Sequence, residues 1–249
     1  MPPIPFPKKK VPRKVAREEL AILERTYPAA ATALAYRNPY ELLIAVILSA
    51  QCTDARVNAV TPVLFERYPA PADLGAAAQT DVERIVKSCG FFRMKARNVI
   101  ACARDLVERF GGEVPREREA LESLAGVGRK TASVVMANAF AQAALAVDTH
   151  VFRVAHRIGA TLGSTPRQVE DDLTALVPPS KWGDATHWLI LHGRAVCKAP
   201  TPRCGGCPLE RLCPTPAILA RTIAARARAG ARVAAARPPK RAASKAKKP

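Results

Sequence analysis

The stretch Leu124–Thr131, LAGVGRKT, decides the reading of this chain, and Asp148 follows eighteen residues after Lys130. Gly126 and Gly128 let a tight turn expose consecutive backbone N–H groups at the start of a helix, an arrangement that attracts a phosphate oxygen. Lys130 falls in the first turn of that helix. An amine held beside a nucleic-acid strand, with a carboxylate supplied by a later segment, points to covalent chemistry on the sugar rather than to binding alone.

Composition narrows the fold around this turn. Apolar residues make up 49% of the 249 positions and aromatics only 5%, with Ala, Leu, Arg and Glu abundant, which favours an all-α protein over a β sandwich or barrel. No run of about 18 apolar residues occurs, and the opening MPPIPFPKKK lacks the apolar core of a signal peptide, so a soluble cytoplasmic protein with no membrane association is expected. Seven cysteines without a secretory signal then argue for a metal site or buried thiols, not a disulfide scaffold.

The formal charge of +18 is unevenly placed. Residues 1–17 carry six Lys or Arg and residues 215–249 carry ten, neither with an acid, which leaves the middle near +2. Both ends are therefore expected as basic disordered tails, the second rich in Ala, Pro, Lys and Arg, tethering the protein to a polyanion.

Between them, helices broken by Gly and Pro are predicted. Pro39 opens PYELLIAVILSAQ, apolar enough for a fully buried helix, and RMKARNVIACARDLVERF from Arg93 places Val99, Cys102, Leu106 and Phe110 on one stripe before Gly111 and Gly112. Further helices are expected at 15–26, 54–67, 80–88, 117–124, 128–140, 149–159, 166–176 and 181–196, the second of these capped by Asp54. Cys52, Cys89 and Cys102 are read as small apolar packing residues.

Cys197, Cys204, Cys207 and Cys213 form a second constellation, C-x6-C-x2-C-x5-C. Structural zinc usually takes two close pairs and this pattern has one, so a four-cysteine iron–sulfur cluster fits better than zinc, with Pro202, Pro208 and Pro214 stiffening the loops. So small a segment has no apolar core of its own, and the metal would hold it folded. Lys198 and Arg203, in the loop from Cys197 to Cys204, are candidate phosphate contacts.

LAGVGRKTA, then VDTHVFR, HWLILHGR and the cysteine quartet, resemble endonuclease III, a bifunctional DNA glycosylase with a helix-hairpin-helix motif and a [4Fe-4S] cluster; the likeness runs from about Glu18 to Pro214. The resemblance implies that Lys130 is the nucleophile and Asp148 its helper. It places hairpin contacts to DNA at Leu124, Gly126, Val127, Gly128 and Arg129, a void-filling residue at Gln51 and an apolar wedge at Phe91. Ala125 stands where the family usually has proline, which should loosen the turn slightly. His150 is a candidate to orient the loop near Asp148.

The chemistry suits these residue types independently. A neutral amine can attack the sugar C1′, displace a damaged base, form a Schiff base and allow β-elimination of the 3′ phosphate, while a carboxylate handles protons and developing charge. Reaching C1′ requires the nucleotide to leave the stack, and the void must be filled. The expectation is an all-α enzyme of two helical lobes with DNA in the cleft between them. Residues 32–142 would form a helical lobe ending in the hairpin; residues 18–31 and 143–214 would form the cluster lobe, between the tails 1–17 and 215–249. It would excise oxidised pyrimidines from duplex DNA and cleave at the abasic site, as a monomer. An adenine mismatch glycosylase of the same superfamily lacks the lysine and carries a further domain; a noncatalytic iron–sulfur DNA-binding module leaves Lys130 and Asp148 without a task.

Overall fold

The computed structural model describes residues 4–235. Among them there are helices and loops and no strand. The helices are α1 (Arg13–Thr26), α2 (Pro39–Leu48), α3 (Asp54–Arg67), α4 (Pro71–Gly75), α5 (Gln79–Val86), α6 (Phe92–Phe110), α7 (Arg118–Glu122), α8 (Arg129–Phe140), α9 (Thr149–Arg157), α10 (Pro166–Thr174), α11 (Trp182–Ala195) and α12 (Thr215–Ala235). Short 3-10 turns follow α5 and precede α11.

Two separate apolar cores organise them. The first surrounds α2, which starts at a capped proline junction where the Asn38 side chain accepts from the Glu41 N–H at 2.9 Å. Residues Tyr40 to Leu48 are all buried, as the unbroken apolar run requires, against the Val99, Cys102 and Leu106 stripe of α6 and against Ala132 and Val135 of α8. The second core joins Leu20 and Leu23 of α1 to Val151, Val154, Val169, Leu173, Trp188 and Leu189. The early helix thus packs with the C-terminal half of the chain, and the first core lies wholly between.

Both ends differ from disordered tails. Helix α1 begins at Arg13, and ahead of it Ile4 and Pro7 are buried, Phe6 stacks on His156 at 4.6 Å, and the Val11 N–H donates to the Gly159 carbonyl at 3.0 Å. Lys10 also pairs with Asp172 at 2.6 Å. The charge count hid this strap because its anchors are a few apolar side chains between lysines. At the other end Thr215–Ala235 is helical: its Ala and Arg have high helix propensity, and the buried Thr215 hydroxyl ties the first turn to the Arg157 carbonyl at 2.6 Å. Residues 236–249 of that tail lie outside the described residues.

Candidate active site

The hairpin before α8 is built as its glycines suggest, with one refinement. Gly126 has φ +77, and an added Cβ would lie 3.0 Å from the Asn98 Cβ, so this position demands glycine twice over. Gly128 is extended, φ −102 and ψ 178, with open space around it. Its value is different: it offers α8 no side-chain cap, so the first N–H groups of the helix stay available, as for an anion. Ala125 does not loosen the turn. Its N–H donates to an Asp105 oxygen at 3.2 Å, a bond proline could not make.

Three of the five expected hairpin contacts are redirected. Leu124 and Val127 are buried in the first core, so their side chains hold the hairpin down and only their backbone is left for a strand. Arg129 forks onto Glu170 of α10, Nε at 2.7 Å and Nη2 at 3.1 Å, and is committed to that bridge between the two cores. Sequence spacing gives no sign of a partner forty-one residues away.

Lys130 is exposed at the start of α8 and lines a cavity of about 110 Å³ between the two cores. Asp148 lines the same cavity. The aspartate is the N-cap of α9: its Oδ1 accepts from the His150 N–H at 2.8 Å and the Val151 N–H at 2.7 Å. Both bonds end on one oxygen, so the cap fixes the carboxylate without consuming Oδ2. The two residues are brought together at the starts of two helices, where backbone N–H groups stabilise negative charge.

Other cavity residues escaped the sequence reading. Asp54 does not cap α3; Thr53 does, accepting from the Arg56 N–H, and the Asp54 carboxylate instead accepts from Arg194 at 3.0 Å. Asp54, Arg194, Ser49 and His187 all face the cavity. The His187 Nε2 meets the Asn138 side-chain oxygen at 3.2 Å, and burial pushes this imidazole's pKa down, so it stands neutral at the wall. Burial likewise holds His150 below the usual histidine range, despite the Asp148 carboxylate beside it. His150 is fixed by Arg153 at 3.1 Å and by close packing against α11, where a Cβ on Gly193 would come within 3.0 Å of its Nδ1.

Gln51 and Phe91 are both exposed and both left-handed, φ +52 and +45. Such backbone is costly for residues with a Cβ, about 1–3 kcal/mol each, and is retained where a side chain must be presented at a set angle. Phe91, 59% exposed, is not core.

The four cysteines line one buried space with Ile158, His192 and Leu209. Arg157, almost wholly buried, donates through Nη1 to the Cys197 and Lys198 carbonyls at 3.2 and 2.7 Å and sits 3.6 Å from the Cys197 Sγ. A sulfur-only donor set beside a buried guanidinium fits an anionic thiolate-bound group. Among the described residues no three His, Cys, Asp or Glu side chains are drawn together around a single ion. Arg203 is exposed and Lys198 half-buried on the same loop.

With this geometry in place, comparison with known proteins defines the class. Residues 44–179 match the model of the HhH-GPD superfamily of base excision DNA repair proteins. Endonuclease III from Synechocystis sp. is 49% identical over 201 residues, 80% of this chain and 92% of that protein. Two solved structures are similar throughout. A non-covalent endonuclease III–DNA complex has TM-score 0.81 and 43% identity, covering 85% of this chain and 99% of that one. A trapped endonuclease III–DNA covalent intermediate has TM-score 0.79 and 44% identity, covering 82% and 97%. The chain belongs to the endonuclease III family.

Proposed function

We propose that this enzyme excises oxidised pyrimidines from duplex DNA through a Lys130 Schiff base and cleaves the strand at the abasic site. The observation that carries this reading is that Lys130 and Asp148 wall one cavity between the two cores. Membership in the family makes the chain a base excision repair glycosylase and AP lyase. In the proposed mechanism the Lys130 amine attacks C1′ as the glycosidic bond breaks, and the departing base takes up a proton. Asp148 stabilises positive charge on the sugar through Oδ2 and moves protons as the Schiff base forms. Loss of a C2′ proton then expels the 3′ phosphate.

Gln51 and Phe91 fill the space left by the extruded nucleotide, and the strand backbone is received by N–H groups at Gly126, Gly128 and the start of α8. Lys198 and Arg203 add phosphate contacts, whereas Arg129 does not. The Asp54–Arg194 pair and His187 give the cavity donors and acceptors suited to the polar edge of an oxidised pyrimidine. Cys197, Cys204, Cys207 and Cys213 hold a [4Fe-4S] cluster, whose thiolates stand further apart than those around one zinc ion, and the cluster keeps its loop folded. The protein acts as a cytoplasmic monomer on DNA; no helix among the described residues is long and apolar enough to cross a membrane.

Incubation with duplexes carrying thymine glycol, an abasic site or no lesion tests this. Base release and strand cleavage on the first two, and neither on the third, are expected. Cleavage of abasic DNA without release of thymine glycol would remove the pyrimidine assignment. Iron at about four atoms per chain in anaerobically purified, brown protein checks the cluster, and stoichiometric zinc in colourless protein would refute it.

A further inference from the structure

Two cysteines outside the quartet were expected merely to fill space, and the fold places them together. Cys52 directly follows Gln51; Cys89 ends the 3-10 turn Lys87–Cys89, with only Gly90 between it and Phe91. The two thiols are hydrogen-bond partners, and neither is in a disulfide. Cys52 is partly exposed, whereas Cys89 is 2% exposed. Cys89 is also anchored: the buried Lys95 ammonium donates to its carbonyl at 2.6 Å, and the charges of Lys95 and Arg56 both act on its thiol. Left-handed backbone flanks the pair, at Gln51 on one side and at Gly90 and Phe91 on the other.

We propose that Cys52 and Cys89 are an oxidant-accepting thiol pair that closes to a disulfide on reaction with a hydroperoxide and thereby disables the two loops carrying Gln51 and Phe91. The part concerning DNA rests on the void-filling role proposed above; the thiol chemistry does not. Cys52 reacts first because it is the accessible member. Its thiolate attacks the peroxide O–O bond; with hydrogen peroxide one oxygen leaves as water and the other remains as Cys52 sulfenic acid. The Cys89 sulfur then attacks the sulfenic sulfur, the S–S bond forms, and the oxygen leaves as a second water with the Cys89 proton. Two thiols lose two electrons and two protons, and one peroxide becomes two waters.

Burial, with Cys52 the next cause, pushes the Cys89 thiol up to about 11, in keeping with a second, resolving partner and not the first to react. Closure brings the sulfurs from non-bonded contact to about 2.05 Å. Cys89 is held by its burial and by Lys95, so the Gln51–Cys52 turn must move. That displaces Gln51 from the left-handed pose in which it faces Phe91's loop.

The test uses the full chain with its cluster loaded, treated with limited hydrogen peroxide and then alkylated, with visible absorbance reporting cluster integrity. Peptide mass spectrometry should find Cys52 linked to Cys89. The preference for a duplex with a tetrahydrofuran abasic analogue over undamaged duplex should fall about tenfold, roughly one strained contact's worth. Dithiothreitol should restore it, and Cys52→Ser should show no loss under the same treatment. Separate alkylation of both cysteines after peroxide would overturn the proposal, and so would a Cys52–Cys89 disulfide with preference unchanged. Gln51→Ala and Phe91→Ala, measured reduced, identify which premise failed: if they keep full preference, the void-filling reading is wrong and the DNA half of the proposal falls with it.

Discussion

The Arg129 guanidinium holds the Glu170 carboxylate through two hydrogen bonds, 2.7 Å from Nε and 3.1 Å from Nη2, and so clamps the first turn of α8 to α10. Arg118, 4.0 Å from the same carboxylate, extends the network to α7. The residue next to the nucleophile is therefore a structural tie between the two cores. Arg129→Ala should cost about 1–2 kcal/mol of stability, the range for a partly exposed charge-assisted pair. The salt dependence of duplex binding should keep its slope, because a lost phosphate contact would flatten it by about 0.9 log unit. A flattened slope with unchanged melting would show that Arg129 leaves Glu170 for DNA.

The hairpin glycines should respond unequally. Gly126→Ala puts a Cβ against Asn98 on left-handed backbone and should destabilise by about 1–3 kcal/mol. Gly128→Ala meets open space on extended backbone and should leave thermal melting within about 0.5 kcal/mol of wild type, any deficit being in DNA affinity. Equal destabilisation by both would contradict the distinction.

Glu19 of α1 is wholly buried, neither carboxylate oxygen has a hydrogen-bond partner, and burial pushes its pKa up from 4.5 to about 8. A folded-state pKa above the unfolded one means folding takes up a proton between these values, so the group's contribution is present below pH 4.5 and is lost as pH rises through about 8. Glu19→Gln should be the more stable protein at pH 9, by about 2–4 kcal/mol, and nearly equal to wild type at pH 5. Denaturant midpoints measured at the two pH values decide this; parallel curves would show that the carboxyl finds a partner.

Asp148 has two tasks that different substitutions separate. Asparagine keeps an oxygen for the α9 cap, so Asp148→Asn should melt close to wild type yet lose about 10²–10⁴ in excision rate. Asp148→Ala should show the same rate loss and a further cost of about 1 kcal/mol in stability. Wild-type single-turnover rates for the asparagine variant would leave Asp148 a cap and nothing more.

Sequence made the local features plain and left the long-range ones hidden. The apolar run of α2, the glycine at 126 and the lysine after it are set by neighbours within a few residues, so periodicity and turn chemistry reveal them. The pairing of Arg129 with Glu170, the inward aim of Leu124 and Val127, and the Asp54–Arg194 pair depend on which helices the fold brings together. The cap of α3 went to Thr53 because its hydroxyl, one residue earlier, reaches the Arg56 N–H. Opposite ends of the chain misled in the same way: net basicity suggested disorder, while Ile4 and Pro7 on one side and the Thr215 anchor on the other supply the contacts that order it.

The most direct test of the central claim is borohydride trapping of the full chain on an abasic duplex, followed by mass spectrometry of the adduct. Wild type should yield a covalent protein–DNA species with the link at Lys130, and Lys130→Ala should yield none while still binding the duplex. Undiminished trapping in Lys130→Ala, or an adduct mapped to another amine, would contradict the account.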